Sequence, residues 1–126
     1  MVDTERLYKS FSYALEGIQF AFTHNQNLRI AFIGGAIVAV FSLLLDISPF
    51  EMGILGVMIL LVICAEMMNS AIEEMVNFVI NEHRREAKIA KDVSAGMVLI
   101  TLAGSIIVGF LVFLPHIYSL FFGKHT

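Results

Sequence analysis

Residues 52–77 read MGILGVMILLVICAEMMNSAIEEMVN. The stretch from Met52 to Ala65 carries no charge; then Glu66, Asn69, Ser70, Glu73 and Asn77 interrupt the apolar run. A helix over Met52–Ala65 alone would be about 21 Å long at 1.5 Å per residue, short of the ~30 Å hydrocarbon slab of a bilayer. The helix must therefore continue through the polar stretch, which carries Glu66 into the slab and Glu73 to near its far edge. At 100° per residue the five polar residues fall within about 100° of arc, so they form one stripe on an otherwise apolar helix. An ionised side chain at membrane depth costs roughly 2.5–3.5 kcal/mol. Two carboxylates at that cost point to function. The plainer alternative is a hydrogen-bond seam between helices, which Asn69 and Ser70 alone would satisfy.

The rest of the chain agrees with a membrane setting. Its 126 residues are 58% hydrophobic and 15% charged, with two prolines and a mean hydropathy of +0.83. Ordinary soluble domains are about 45–50% apolar, and a soluble core of this size could not hide the surplus. One all-α domain over 1–126 is expected at this length. Before the quoted stretch, IAFIGGAIVAVFSLLL lies uncharged between Arg29 and Asp46. After it, the run from Val93 to Leu114 has no charge, and Pro115 is expected to end it. Spans are expected over about 28–48, 51–80 and 92–114. The opening MVDTERLYKS is polar and the first long apolar run starts at Ile30, unlike a cleavable signal peptide. Cys64, the only cysteine, excludes an intrachain disulfide and reads as a small hydrophobe.

Lys and Arg set the expected orientation. Arg6, Lys9 and Arg29 precede the first span, and Arg84, Arg85, Lys88 and Lys91 fill the second connection, whereas the 46–51 loop has only Asp46 and Glu51. The positive-inside bias places the N-terminus and the 81–92 connection in the cytoplasm and the C-terminus outside, with Lys124 the one contrary charge. Over about 4–24, Leu7, Phe11, Ala14, Leu15, Ile18 and Phe22 recur at helical spacing. That pattern suits either an amphipathic helix in the cytoplasmic interface or a helix packed on the bundle. Thr101, Ser105 and Gly109, and Gly35 with Ala39, form small-residue ridges that permit close helix approach, or simply reflect the abundance of small residues in spans.

The second connection reads EHRREAKIAKD, residues 82–92. A basic loop beside a membrane usually enforces topology and touches anionic headgroups. That account covers Arg84, Arg85 and Lys88 better than Lys91 and Asp92, which stand at the membrane edge level with Glu73. A lysine there can hold a phosphate as a point charge, and carboxylates can share Mg²⁺ with substrate phosphates. There is no GxxxxGK[ST] and no kinase Gly-rich loop or HRD motif. Phosphoryl transfer to a lipid hydroxyl is the chemistry these groups suit, and no nucleic-acid partner is expected.

AEMMNSAIEEMVN, with AKDVSAG following so that Lys91 stands eighteen residues after Glu73, resembles the signature of the small bacterial integral-membrane lipid kinases. That family contains diacylglycerol and undecaprenol kinases, and its signature reads roughly E-x-x-N-[ST]-A-I-E, then A-K-D. The ending IIVGFLVFLP looks more like the undecaprenol branch. The resemblance covers nearly the whole chain. It implies a surface helix plus three spans in the bacterial inner membrane, assembled as a homotrimer with sites between subunits. It implies ATP as co-substrate, Mg²⁺ as cofactor and a membrane lipid as acceptor. By the same resemblance Glu66 is the general base, Asn69 positions the reacting groups, and Glu73 holds Mg²⁺ on the ATP phosphates. Lys91 and Asp92 would contact phosphates and nucleotide, as would Arg6, Tyr13, Glu82 and His83.

One position departs from the family pattern. A second metal-binding glutamate usually precedes the first span, in a pattern like E-x-N-x-R-I. Here the segment is THNQNLRI, with Asn27 and Arg29 in register but Asn25 in place of the acid, and no acidic residue between Glu16 and Asp46. Asn25 would offer magnesium a carbonyl oxygen without the charge. The departure motivates a second reading, a catalytically silent membrane scaffold or lipid-binding trimer of the same fold. A third reading, a proton or cation pathway, would use Glu66 and Glu73.

Overall fold

The computed structural model describes residues 1–79 and 84–123. They form four helices: α1 (Thr4–His24), α2 (Gln26–Leu44), α3 (Pro49–Val79) and α4 (Arg85–Phe122). The last three are long and apolar enough to cross a membrane. At 1.5 Å per residue the 19 residues of α2 extend about 28 Å, one bilayer core, while the 31 of α3 and 38 of α4 overshoot it.

Local chemistry sets the helix ends. The Asp3 side chain caps α1 by accepting from the Arg6 N–H at 3.2 Å. At the other end of α1, the Arg29 guanidinium donates to the carbonyls of Phe22 (2.8 Å) and Thr23 (2.7 Å), which the helix leaves open. A positive charge there also suits the helix dipole. Asn25 is both the last cap of α1 and the N-cap of α2. At the end of α2 Asp46 takes a left-handed φ of 53°, and Ile47 N–H returns to the Ser42 carbonyl at 3.2 Å. This is a Schellman turn, whose hydrophobic member Ile47 is buried against Leu55 and Val112. Ser48 then starts α3: its Oγ accepts the Glu51 N–H and donates to the Glu51 carboxylate at 2.8 Å.

The third long helix runs further than expected. Pro115 lies inside α4, which continues to Phe122 rather than ending at Leu114. A proline removes one main-chain hydrogen bond and crowds one carbonyl, but the apolar residues after it keep the backbone helical. The side chain of His116 adds a bond to the Val112 carbonyl at 2.9 Å.

Four contacts show that α3 lies antiparallel to both neighbours. Asn25 meets Glu66 and Ser70, Gly35 meets Ile59, and Ser94 meets Asn69, while Leu55 and Val112 share the core cluster at the other end. α3 packs most extensively on α4 and next on α2, and among the described residues α2 and α4 make no close approach. Gly35 is where α2 sits tightest: an added Cβ would come within 2.8 Å of Ile59 Cγ2. The ridge on α4 is not used in this way, since Ser105 and Gly109 line a groove instead. α1 is held mainly through its last turns, with Ala21 buried. Its Leu7, Phe11, Leu15, Ile18 and Phe22 are exposed, as is Cys64 on α3.

Candidate active site

The polar stripe divides into an inner and an outer half. Glu66 and Asn69 are buried, with 5% and 8% of their surface exposed, although their helix is apolar around them. Asn25 reaches Glu66 from the α1–α2 joint: its Nδ2 lies 3.3 Å from Glu66 Oε2 and 2.6 Å from Ser70 Oγ. From the other side comes Ser94, itself buried. Its hydroxyl proton is shared between Asn69 Oδ1 at 2.6 Å and the Lys91 carbonyl at 2.9 Å. Among the described residues no buried side-chain nitrogen or oxygen lacks a partner. The inner half is thus a satisfied seam joining three helices, as buried polar groups require.

The outer half is open. Glu73 lies two turns beyond Glu66 and about 20° around the helix, so the two carboxylates share a face. Glu73 and Asn77 are exposed. Asn69 Nδ2 stands 3.5 Å from Glu73 Oε1, long for a hydrogen bond. Ser94 and Asn69 are level on antiparallel helices, so Lys91, one turn before Ser94, is level with Glu73, one turn after Asn69. Asp92 instead pairs with Lys88 on its own helix, at 2.6 Å on the exposed surface.

Two cavities flank the stripe. An apolar groove of about 750 Å³ runs between α2 and α4 over α3, from Asn27 and Glu66 at one end to Leu114 and Ile117 at the other. Glu66 is its one acidic residue. A smaller polar pocket of about 260 Å³ lies beyond, lined by His24, Asn25, Gln26, Ser70, Glu73 and Glu74 among others.

These positions extend the sequence expectations. Glu66 was expected within the slab; its partner Asn25 caps the first turn of α2, which sets Glu66 level with one end of that ~28 Å helix. Asn25 was expected to offer magnesium a carbonyl oxygen; its Oδ1 accepts the Leu28 N–H at 3.1 Å, and its amide nitrogen faces Glu66 and Ser70. Among the described residues no group of three or more His, Cys, Asp or Glu is placed to hold a metal. Arg6 and Tyr13 are exposed on α1 and line neither cavity. Glu82 and His83 lie outside the described residues. Ser94 and Glu74 were missed. Ser94 was inside the quoted AKDVSAG, but nothing in that segment pointed to its contact with Asn69.

A buried carboxylate at the polar end of an apolar groove, with exposed carboxylates one pocket further on, defines a three-span helical protein with an acidic site at one end of its bundle. The comparisons place that architecture. The family model of prokaryotic diacylglycerol kinase matches residues 12–113, and the chain belongs to this family. It is 36% identical over 115 residues to a diacylglycerol kinase of Synechocystis, covering 90% of this chain and 66% of that protein, just under two thirds of its length. It is 32% identical over 113 residues to an undecaprenol kinase of Bacillus subtilis, covering 90% and 92% of the two chains.

Proposed function

We propose that the protein is an ATP-dependent lipid kinase that transfers the γ-phosphate of MgATP to the hydroxyl of a membrane lipid. Undecaprenol is favoured slightly over diacylglycerol. The observation that carries this reading is the position of Glu66, buried where the apolar groove meets the polar pocket. A lipid alcohol would approach through the groove with its hydroxyl toward Glu66. The nucleotide would come from the side of Glu73.

The reaction balances with the residues at hand. Glu66 takes the proton of the lipid hydroxyl as its oxygen attacks the γ-phosphorus. The bridging P–O bond breaks and ADP departs with its electron pair. Such transfer depends on positioning and charge neutralisation more than on covalent chemistry. Asn69, held by Ser94, keeps the base and the phosphate side of the site in register. Lys91, level with Glu73, supplies positive charge toward the phosphates, and Asp92 an acid at the nucleotide side. The donors suit magnesium brought in on the nucleotide, because Mg²⁺ takes one or two carboxylates and otherwise phosphate and water oxygens. Glu73 and its neighbour Glu74 offer those carboxylates, and the ion would neutralise phosphate charge there. Arg6 and Tyr13, which do not line the pocket in one chain, fit the family's trimeric arrangement, in which they would serve a neighbouring subunit's site. The chain would lie in the bacterial inner membrane, N-terminus and site on the cytoplasmic side, with α1 along the interface.

A second reading keeps the fold without the chemistry, as a membrane scaffold or lipid-binding trimer. Asn25 favours it, because the family's second metal-binding acid is absent. One assay separates the two. The protein in mild detergent micelles receives MgATP with undecaprenol or diacylglycerol in parallel. Phosphorylation of either lipid supports the kinase and names the acceptor. Inactivity on both, while a glutamate-bearing relative works in the same micelles, puts the scaffold reading in its place.

A further inference from the structure

Asn25 is tied at both ends of its amide. Oδ1 accepts the Leu28 backbone N–H at 3.1 Å, and because that group can only donate, the bond fixes which end of the amide is oxygen. The NH₂ therefore faces α3, where it meets Ser70 Oγ at 2.6 Å, Glu66 Oε2 at 3.3 Å and the Glu66 carbonyl at 3.4 Å. Among the described residues no other side chain hydrogen-bonds the Glu66 carboxylate, which is nearly buried.

We infer that Asn25 is a positioning residue: its amide pins Oε2 of Glu66, which lines the groove, and leaves the other carboxylate oxygen to take the acceptor's proton. The inference rests on the kinase reading for the proton, but the pinning of Glu66 stands by itself. Asparagine suits this task and glutamate does not. An ionised carboxylate at position 25 has no hydrogen to donate and would set like charge against Glu66. The departure from the family pattern is then an exchange of roles. The position leaves the metal and joins the base.

The test is Asn25→Asp, which keeps the capping oxygen and the size of the side chain but removes the donor. Aspartate caps a helix as well as asparagine does, so a residue that served only as a cap would leave turnover unchanged. The expected result is a kcat lower by about 10- to 100-fold, with the KM for ATP within about twofold of wild type. The melting temperature should also fall, because two acids then face each other. Adding Glu66→Gln to that variant exchanges amide and carboxylate across the contact. It should restore the melting temperature without restoring turnover, since an amide is no base. Wild-type kcat in Asn25→Asp, or no thermal recovery in the exchanged pair, overturns the inference. If the unaltered protein phosphorylates neither lipid, the kinase reading fails separately. Thermal recovery in the exchanged pair then still supports the pinning, and its absence overturns it.

Discussion

Two carboxylates seven residues apart on one helix stand in different surroundings, which suit the different roles proposed for them. Glu66 is enclosed by Asn25 and by the apolar walls of the groove, whereas Glu73 is exposed beside Glu74 and a polar pocket. Glu66→Gln should therefore lower kcat by at least about 100-fold, the low end for loss of a general base, while ATP binding stays nearly intact. Turnover at the wild-type rate would rule it out as the base. Glu73→Gln should raise the magnesium concentration needed for half-maximal rate far more than it changes lipid binding. A magnesium titration against a lipid titration decides this, and equal losses in both contradict the assigned role. The stripe itself was readable from spacing, because five polar residues within 100° of a helix can be counted without coordinates. Ser94 was not, because a serine announces its partner only when another helix brings Asn69 to it.

At the scale of the element, the helices follow their local chemistry closely, and the exception is instructive. Asp3, Asn25 and Ser48 are of the residue types that cap helices, and each accepts a first-turn N–H in the fold. Pro115 reads as a stop but sits inside α4, since the surrounding apolar residues outweigh the loss of one hydrogen bond. Asp46 is the opposite case, a non-glycine at φ 53° that the Schellman turn requires. Asp46→Val should cost about 1–2 kcal/mol, the penalty of a left-handed backbone for a branched residue, read as a lower melting temperature in micelles with Asp46→Asn near neutral. Gly35 governs the α2–α3 approach. Gly35→Ala presses its new methyl on the stiff Cγ2 of Ile59 and should destabilise by about 1–3 kcal/mol. Ile59→Leu, which removes that branch, should recover most of the loss in the double variant. Additive losses would mean that the contact is not the cause.

For the whole molecule, most large apolar side chains of the three long helices remain exposed in the single chain. Lipid and neighbouring copies are the surroundings that suit such a surface. The direction proposed for it in the membrane rests on the charges of the connections. Single cysteines placed at Lys9 and Asp46, after Cys64 is replaced, should react differently with an impermeant maleimide on intact spheroplasts. Asp46→Cys should label at once and Lys9→Cys only after permeabilisation, and the reverse pattern would overturn the positive-inside assignment.

The sequence by itself determined the helical class, the three apolar helices and the acidic stripe, because hydropathy and 3.6-residue periodicity are local properties of the chain. It also carried the family, because the motif residues and their spacing are read directly along the chain. Only the tertiary structure decided what each polar group faces. It set Asn25 against Glu66, joined Ser94 to Asn69, and brought Glu66 level with the start of α2. Hydrogen bonds close over about 3 Å between residues 25 to 41 positions apart. No one-dimensional pattern reports such a distance, because the packing of α3 against both neighbours sets it.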